Sequence, residues 1–177
     1  TNTYPANFML IAAMNPCPCG HYGNERCKCT DYEVLKYRQK LSGPILDRMD
    51  IQKYVQPVKF MELSGYKEGR SSLELKERVE VARKIQQERY KNLEHVNNNA
   101  QMTPALIKEF CELEEDGKKL LKLAYDRFQY SARTFHKFLK VSRTFADMNG
   151  SKKIRKQDVA AALLARDLDK EQSDMMV

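Results

Sequence analysis

A seven-residue apolar run near the start of the chain, Phe8-Met-Leu-Ile-Ala-Ala-Met14, sets the tightest constraint on the fold. It has the length of a strand and stops at Asn15-Pro16. Unbroken apolar character, without alternation, suits a strand buried on both faces, as in a parallel sheet. Such a strand needs neighbours on either side. The sequence offers one other good candidate, Ile51–Val55, bounded by Pro57. Two strands do not make a stable sheet. The run therefore reads as the back part of a larger α/β domain.

Helix punctuation marks the rest of the chain. Thr30-Asp31-Tyr32-Glu33 is a capping box: the threonine oxygen accepts from a free amide, and the glutamate reaches back. The helix it opens is expected to run to about Leu41. Ser42-Gly43-Pro44 breaks it, and Pro44 can start a short second helix through Asp47-Arg48. Residues 61–70, with Gly65 and Gly69, read as a connection. From Ser71 the pattern is helical, opening on a second capping box, Ser71–Glu74, with Leu75, Val79, Ala82 and Ile85 at helical spacing. Thr103-Pro104 starts a short helix to about Glu112, and another spans about Glu115–Phe128. Ser131 caps a long helix with Phe135, Phe138, Leu139, Ser142, Phe145 and Ala146 on one stripe, closed by Gly150. A last helix covers Gln157–Arg166. The expected fold is α+β but mainly α: a piece of α/β structure (1–60), a linker (61–70), a helical bundle (71–168) and a frayed tail (169–177).

Charge and cysteine usage narrow the function. The 177 residues carry 31 Lys+Arg against 24 Asp+Glu, a net +7, spread along the chain rather than gathered in a tail. That surplus is compatible with binding to nucleic acid or nucleotide phosphate, though composition alone favours a solvated helical surface. No apolar run approaches the roughly 20 residues that a membrane-crossing helix needs, so no membrane partner is expected. Thr1–Asn7 shows no secretory signal, which points to a reducing compartment, the cytoplasm. There, Cys17, Cys19, Cys27 and Cys29 suit a metal better than disulfides. Two Cys-x-Cys pairs joined by a short loop with Gly20 and Gly23 can fold back into the tetrahedron of thiolates that zinc prefers, with His21 as a substitute ligand. The competing reading is four reduced thiols in a turn.

Three polar positions are candidate phosphate contacts. Asn15 stands where the apolar run ends, the place where open parallel sheets bind ligands, although Asn-Pro also ends strands ordinarily. Arg48, in Leu-Asp-Arg-Met-Asp (46–50), could project as an anion-binding fork or pair locally with Asp47 or Asp50. Arg133 follows the cap Ser131 in a first helical turn, where the helix dipole disfavours a cation but attracts an anion. His95 and His136 have no ligand spacing, Cys111 reads as a buried small side chain, and the phenylalanine stripe reads as core. No Gly-x-x-x-x-Gly-Lys-Ser/Thr occurs, so the chain holds no phosphate loop.

Taken in order, FMLIAAMNPCPCGHYGNERCKCT (8–30), LSGPILDRMD (41–50) and YSARTFHKFLKVSRTFADMNGSKKIRKQDVAAAL (130–163) resemble the magnesium chelatase-related AAA+ ATPases of the ComM/YifB type, over about Tyr4 to Asp167. The resemblance implies the end of a P-loop AAA+ α/β core followed by a helical lid. It implies Asn15 as the sensor-1 residue, Arg48 as an arginine finger reaching a neighbouring subunit's ATP, and Arg133 as the sensor-2 arginine, acting within its subunit or across it. ATP with Mg2+ is then the substrate, a hexameric ring the assembly, and DNA the material acted on, by helicase or branch-migration activity. The nucleotide loop and the magnesium-binding strand would precede Thr1, making this chain roughly the last third of such a protein and inactive alone. Two rival readings are a zinc-knuckle DNA-binding module and a magnesium chelatase ATPase subunit; the second is poorer, since the cysteine cluster marks the ComM-like branch.

Overall fold

The structure is a computed structural model that describes residues 2–4, 6, 8–56 and 69–166. It is mainly helical, and the chain divides into two compact units, Thr1–Arg48 and Met49–Val177. The expected tail 169–177 and nearly all of the 61–70 connection lie outside the described residues.

The first unit holds α1 (Asp31–Arg38) and the short α2 (Gly43–Leu46) behind a cysteine-rich loop. The capping box forms as expected: Thr30 Oγ1 accepts from the Glu33 amide at 3.3 Å, and the Glu33 carboxylate accepts from the Thr30 amide at 2.8 Å. That donation holds the Glu33 carboxyl below its ordinary range. α1 ends at Arg38, a turn sooner than the pattern suggests, as the chain tightens toward Ser42-Gly43-Pro44.

The strand expected at Phe8–Met14 does not form. All seven residues lie outside any helix, strand or bridge, and all are exposed, Ile11 to 82%. Burial on both faces requires a paired strand on each side, and the other candidate is committed elsewhere. Of Ile51–Val55, Gln52 forms an isolated parallel bridge to Arg166, its amide donating to the Ala165 carbonyl at 2.7 Å. Among the described residues there is no extended strand, only this bridge and a second at Leu113 and Ile154.

The second unit is a helical bundle: α3 (Ser72–Tyr90), a 3-10 turn (Asn99–Gln101), α4 (Pro104–Phe110), α5 (Glu115–Phe128), α6 (Ala132–Met148) and α7 (Lys156–Leu164). α6 is central, packing on α3, α4, α7 and the 3-10 turn. Its stripe Phe138, Leu139, Ser142 and Ala146 is buried, with Phe135 and Phe145 partly so. Tyr90, Met102, Ile107, Leu121, Ile154 and Val159 close the core around it. Cys111 is buried there too, and burial pushes its thiol up to about 11. At the start of α7 the sequence shows no ordinary cap. Asp158 takes that role, accepting from the Arg155 amide at 3.0 Å and from Asn149 Nδ2 at 2.8 Å.

A buried ionic network fixes the far end of α6. Asp147 is fully buried and accepts from Arg143 Nε at 3.0 Å, from the Arg89 guanidinium and from Asn99 Nδ2 at 2.9 Å. Asn99 in turn accepts from Tyr90 Oη at 2.7 Å and Arg89 Nη1 at 3.0 Å. The carboxylate thus ties α3, the 3-10 turn and α6 into one piece, and Arg133 stands at the other end of that clamped helix.

Candidate functional site

Each unit carries a site. In the first, Pro16–Thr30 turns back on itself twice, at Gly20 (φ +81°) and Gly23 (φ +80°), where a side chain would be strained. The Gly20 amide donates to the Cys17 carbonyl at 3.0 Å, and the Cys27 amide to the Asn24 carbonyl at 2.8 Å. These turns bring all four sulfurs together: Cys17 to Cys19 is 3.4 Å, Cys19 to Cys27 3.7 Å and Cys17 to Cys27 3.9 Å, and every pair lies within 4.8 Å. Zinc–sulfur bonds of about 2.3 Å in a tetrahedron set the sulfurs about 3.8 Å apart, so the donor set fits a zinc ion. His21 is exposed and is not among the clustered ligands. Cys17 is buried, Cys27 and Cys29 half-buried, Cys19 exposed.

The thiols differ sharply. Backbone amides of His21 and Lys28 donate to Cys19 and lower it to about 6. For Cys29 the amide of Cys19 acts in the same sense, but desolvation and the Cys19 and Cys17 sulfurs overcome it and raise the thiol to about 12. One sulfur is thus ready as a thiolate, while a neighbour resists ionising until a cation arrives. α1 backs the knuckle: Arg38 Nε donates to the Pro16 carbonyl at 3.3 Å, and its guanidinium lies 4.5 Å from the Tyr22 ring centre.

Asn15 lies at the entry to this knuckle, exposed, its amide facing Gly20. Arg48 is exposed at the end of the same unit, with Nη1 donating to the Pro44 carbonyl at 2.7 Å. The local pairing with Asp50 that the sequence allowed is replaced by another: Asp50 belongs to the second unit and bonds Lys137 there, at 3.0 Å.

That pair lies in the second site, a cleft of about 430 Å³ in the helical unit. Arg133, His136, Lys137 and Lys140 line one side of it from α6, and Met102 and Ile107 contribute apolar wall. Ser131 Oγ caps α6, accepting from the Thr134 amide at 3.2 Å, so Arg133 is held in the first turn and exposed. Lys140 donates to the Ala100 carbonyl at 2.8 Å; burial pulls its ammonium down. The arrangement offers several cations and a helix N-terminus to one anionic ligand. Of these, only Arg133 was singled out from sequence. The others follow it at helical spacing (133, 136, 137, 140), a signal overshadowed by the phenylalanine stripe on the same helix. Asp50 needed the tertiary fold.

Comparison with protein families decides the affiliation. Residues 69–166 match the family described as magnesium chelatase, subunit ChlI C-terminal, and residues 1–63 match magnesium chelatase, subunit ChlI. The chain belongs to the magnesium chelatase ChlI family. Within it, the chain is 37% identical to YifB of Escherichia coli K12 over 169 residues, covering 95% of this chain and 32% of that protein. It is 35% identical over 162 residues to the competence protein ComM of Haemophilus influenzae, covering 90% of this chain and 31% of ComM. An uncharacterized protein of Mycobacterium tuberculosis H37Rv is 31% identical over 163 residues. The chain spans about a third of the length of these relatives. The ComM/YifB resemblance is thereby borne out. In the described residues no helix is long and apolar enough to cross a membrane.

Proposed function

We propose that this chain is the carboxy-terminal segment of a magnesium chelatase-like AAA+ ATPase, and that its helical unit is the nucleotide-sensing lid. The observation that carries this reading is the cationic cleft headed by Arg133 at the capped start of α6. Arg133 is the sensor-2 arginine: it contacts the phosphates of ATP-Mg2+ and reports their loss after hydrolysis. Arg48, exposed and held by the Pro44 carbonyl, is the arginine finger, offered to a neighbouring subunit's nucleotide in a hexameric ring. Asn15 orients the attacking water or touches the terminal phosphate. The chemistry is electrostatic throughout. Negative charge spreads over the transferred phosphoryl group, and fixed guanidinium and amide donors stabilise it more in the transition state than before. The sheet that would cover Phe8–Met14 belongs, in this reading, to the part of the protein that the relatives' remaining length represents. The whole protein acts on DNA in the cytoplasm, as a helicase or branch-migration motor.

The sulfur spacing supports a zinc ion held by Cys17, Cys19, Cys27 and Cys29. Bound there, zinc would supply structure rather than reactivity, since four thiolates leave no open position. The residues themselves do the rest: the knuckle sets the exit direction of Asn15, and Arg38 fixes α1 against it.

The test is made in the full-length protein. Arg48→Ala should lower ATP turnover by about 10³-fold or more while nucleotide binding persists. Arg133→Ala should weaken both nucleotide binding and turnover. Unchanged turnover in both variants rejects the assignment. Elemental analysis of protein purified without chelator should return about one zinc per chain; folded protein without metal rejects the zinc centre.

A further inference from the structure

The Arg133 cleft already contains an anion, and it is one of the chain's own. The Asp50 carboxylate is bonded to Lys137 at 3.0 Å within it, and its charge acts on Lys140 as well. Lys137 is largely sequestered, its side chain 13% exposed, whereas the Asp50 side chain is 57% exposed and has room to swing out. The backbone that carries Asp50 is not free to move with it. The Arg166 guanidinium donates to the Met49 carbonyl, the Gln52 amide to the Ala165 carbonyl at 2.7 Å, and Lys53 Nζ to the Leu164 carbonyl at 3.2 Å. Arg166 is itself buried, its guanidinium 5.8 Å from the Phe138 ring centre. The carboxylate is therefore presented from a fixed strap, at the high effective concentration of a short tether.

We propose that Asp50 is a tethered counter-ion of the Arg133 cleft, which the triphosphate tail of a small ligand must displace from Lys137 in order to bind. The inference rests on the reading of Arg133 as a phosphate contact and adds a regulatory element to it. Displacement exchanges one charge-assisted hydrogen bond for several, because a triphosphate can meet Lys137, Lys140 and Arg133 together. A compact cleft with the apolar wall of Met102 and Ile107 suits a small oligophosphate better than a nucleic-acid backbone, which needs an open track. Asp50 follows Arg48 by two residues in the sequence, so the displaced side chain belongs to the strap adjoining the proposed finger.

The test is calorimetric titration of the 177-residue chain with inorganic tripolyphosphate at low ionic strength. Asp50→Asn should tighten binding by about fivefold, the equivalent of one partly buried ion pair no longer in competition. Asp126→Asn removes the same charge from an exposed position on α5 outside the cleft and should leave affinity unchanged. Lys137→Met should weaken binding and abolish the gain from Asp50→Asn. Equal affinity in wild type and Asp50→Asn, an equal gain from Asp126→Asn, or no binding by Asp50→Asn up to about 10 mM each overturns the inference. So does a gain seen with single-stranded DNA but not with tripolyphosphate. Arg133→Ala separates the two readings. If it leaves tripolyphosphate affinity intact while Asp50→Asn still tightens it, the counter-ion stands and the sensor-2 assignment falls.

Discussion

Replacing Asp147 by alanine should strip the bundle of much of its stability. The carboxylate is fully buried and is the shared partner of two guanidinium groups, Arg143 with its side chain 2% exposed and Arg89 with 14%. Removing one member of a buried ion pair leaves an uncompensated charge and typically costs about 3–5 kcal/mol. Two compensations hold the cost toward the lower end. Arg143 keeps the carbonyls of Ser151 and Lys152, and Arg89 keeps Asn99 Oδ1 at 3.0 Å. The expected loss is about 3 kcal/mol, against a total of roughly 5–15 kcal/mol for a domain. Urea unfolding followed by far-ultraviolet circular dichroism reads it directly. At a slope near 1.2 kcal/mol per molar urea the midpoint should fall by about 2.5 M. Adding Arg143→Met to Asp147→Ala should recover part of the loss, since it removes one stranded charge. A loss below about 1 kcal/mol with an unchanged slope would mean that water already solvates both arginines, and would refute the argument.

Further expectations concern the knuckle and a tight packing point. In metal-free protein at pH 7.5, iodoacetamide should modify Cys19 well before Cys29, because the first is lowered to about 6 and the second raised to about 12. Cys19 labelling itself should slow as pH falls through 6 and Cys19 takes up its proton; peptide mass spectrometry checks both points, and equal labelling at pH 7.5 contradicts the assignment. Gly117→Ala on α5 should lower the melting temperature. The new Cβ would lie 3.3 Å from the Ile154 carbonyl oxygen and 3.4 Å from Lys156 N, backbone pinned by the Glu114 amide at 2.9 Å. Overpacking of about 1–3 kcal/mol then outweighs the roughly 1 kcal/mol of helix propensity gained. A raised melting temperature would show that the Ile154 segment yields.

What the sequence disclosed was local. Thr30 with Glu33, Ser71 with Glu74, Thr103 before Pro104 and Ser131 each determine a helix start within four residues, and each cap is present. The phenylalanine stripe of α6 is equally local and equally correct. Phe8–Met14 was illegible for the opposite reason: whether an apolar run becomes a strand depends on partners that its own residues do not specify. The Asp147 network was missed because Arg89, Arg143 and Asp147 look like solvated helix charges until α3 and α6 are brought face to face. Arg133 could be read from its cap, but the Asp50–Lys137 bond joins positions far apart in sequence, and no spacing announces it.

The cysteine knuckle draws every sulfur donor from a single short stretch, Cys17 to Cys29. Closing so small a loop costs little chain entropy, so the clasp can snap shut without waiting for distant parts of the polypeptide. It is a fixed point that forms from its own residues, a ready anchorage from which the neighbouring asparagine is laid out.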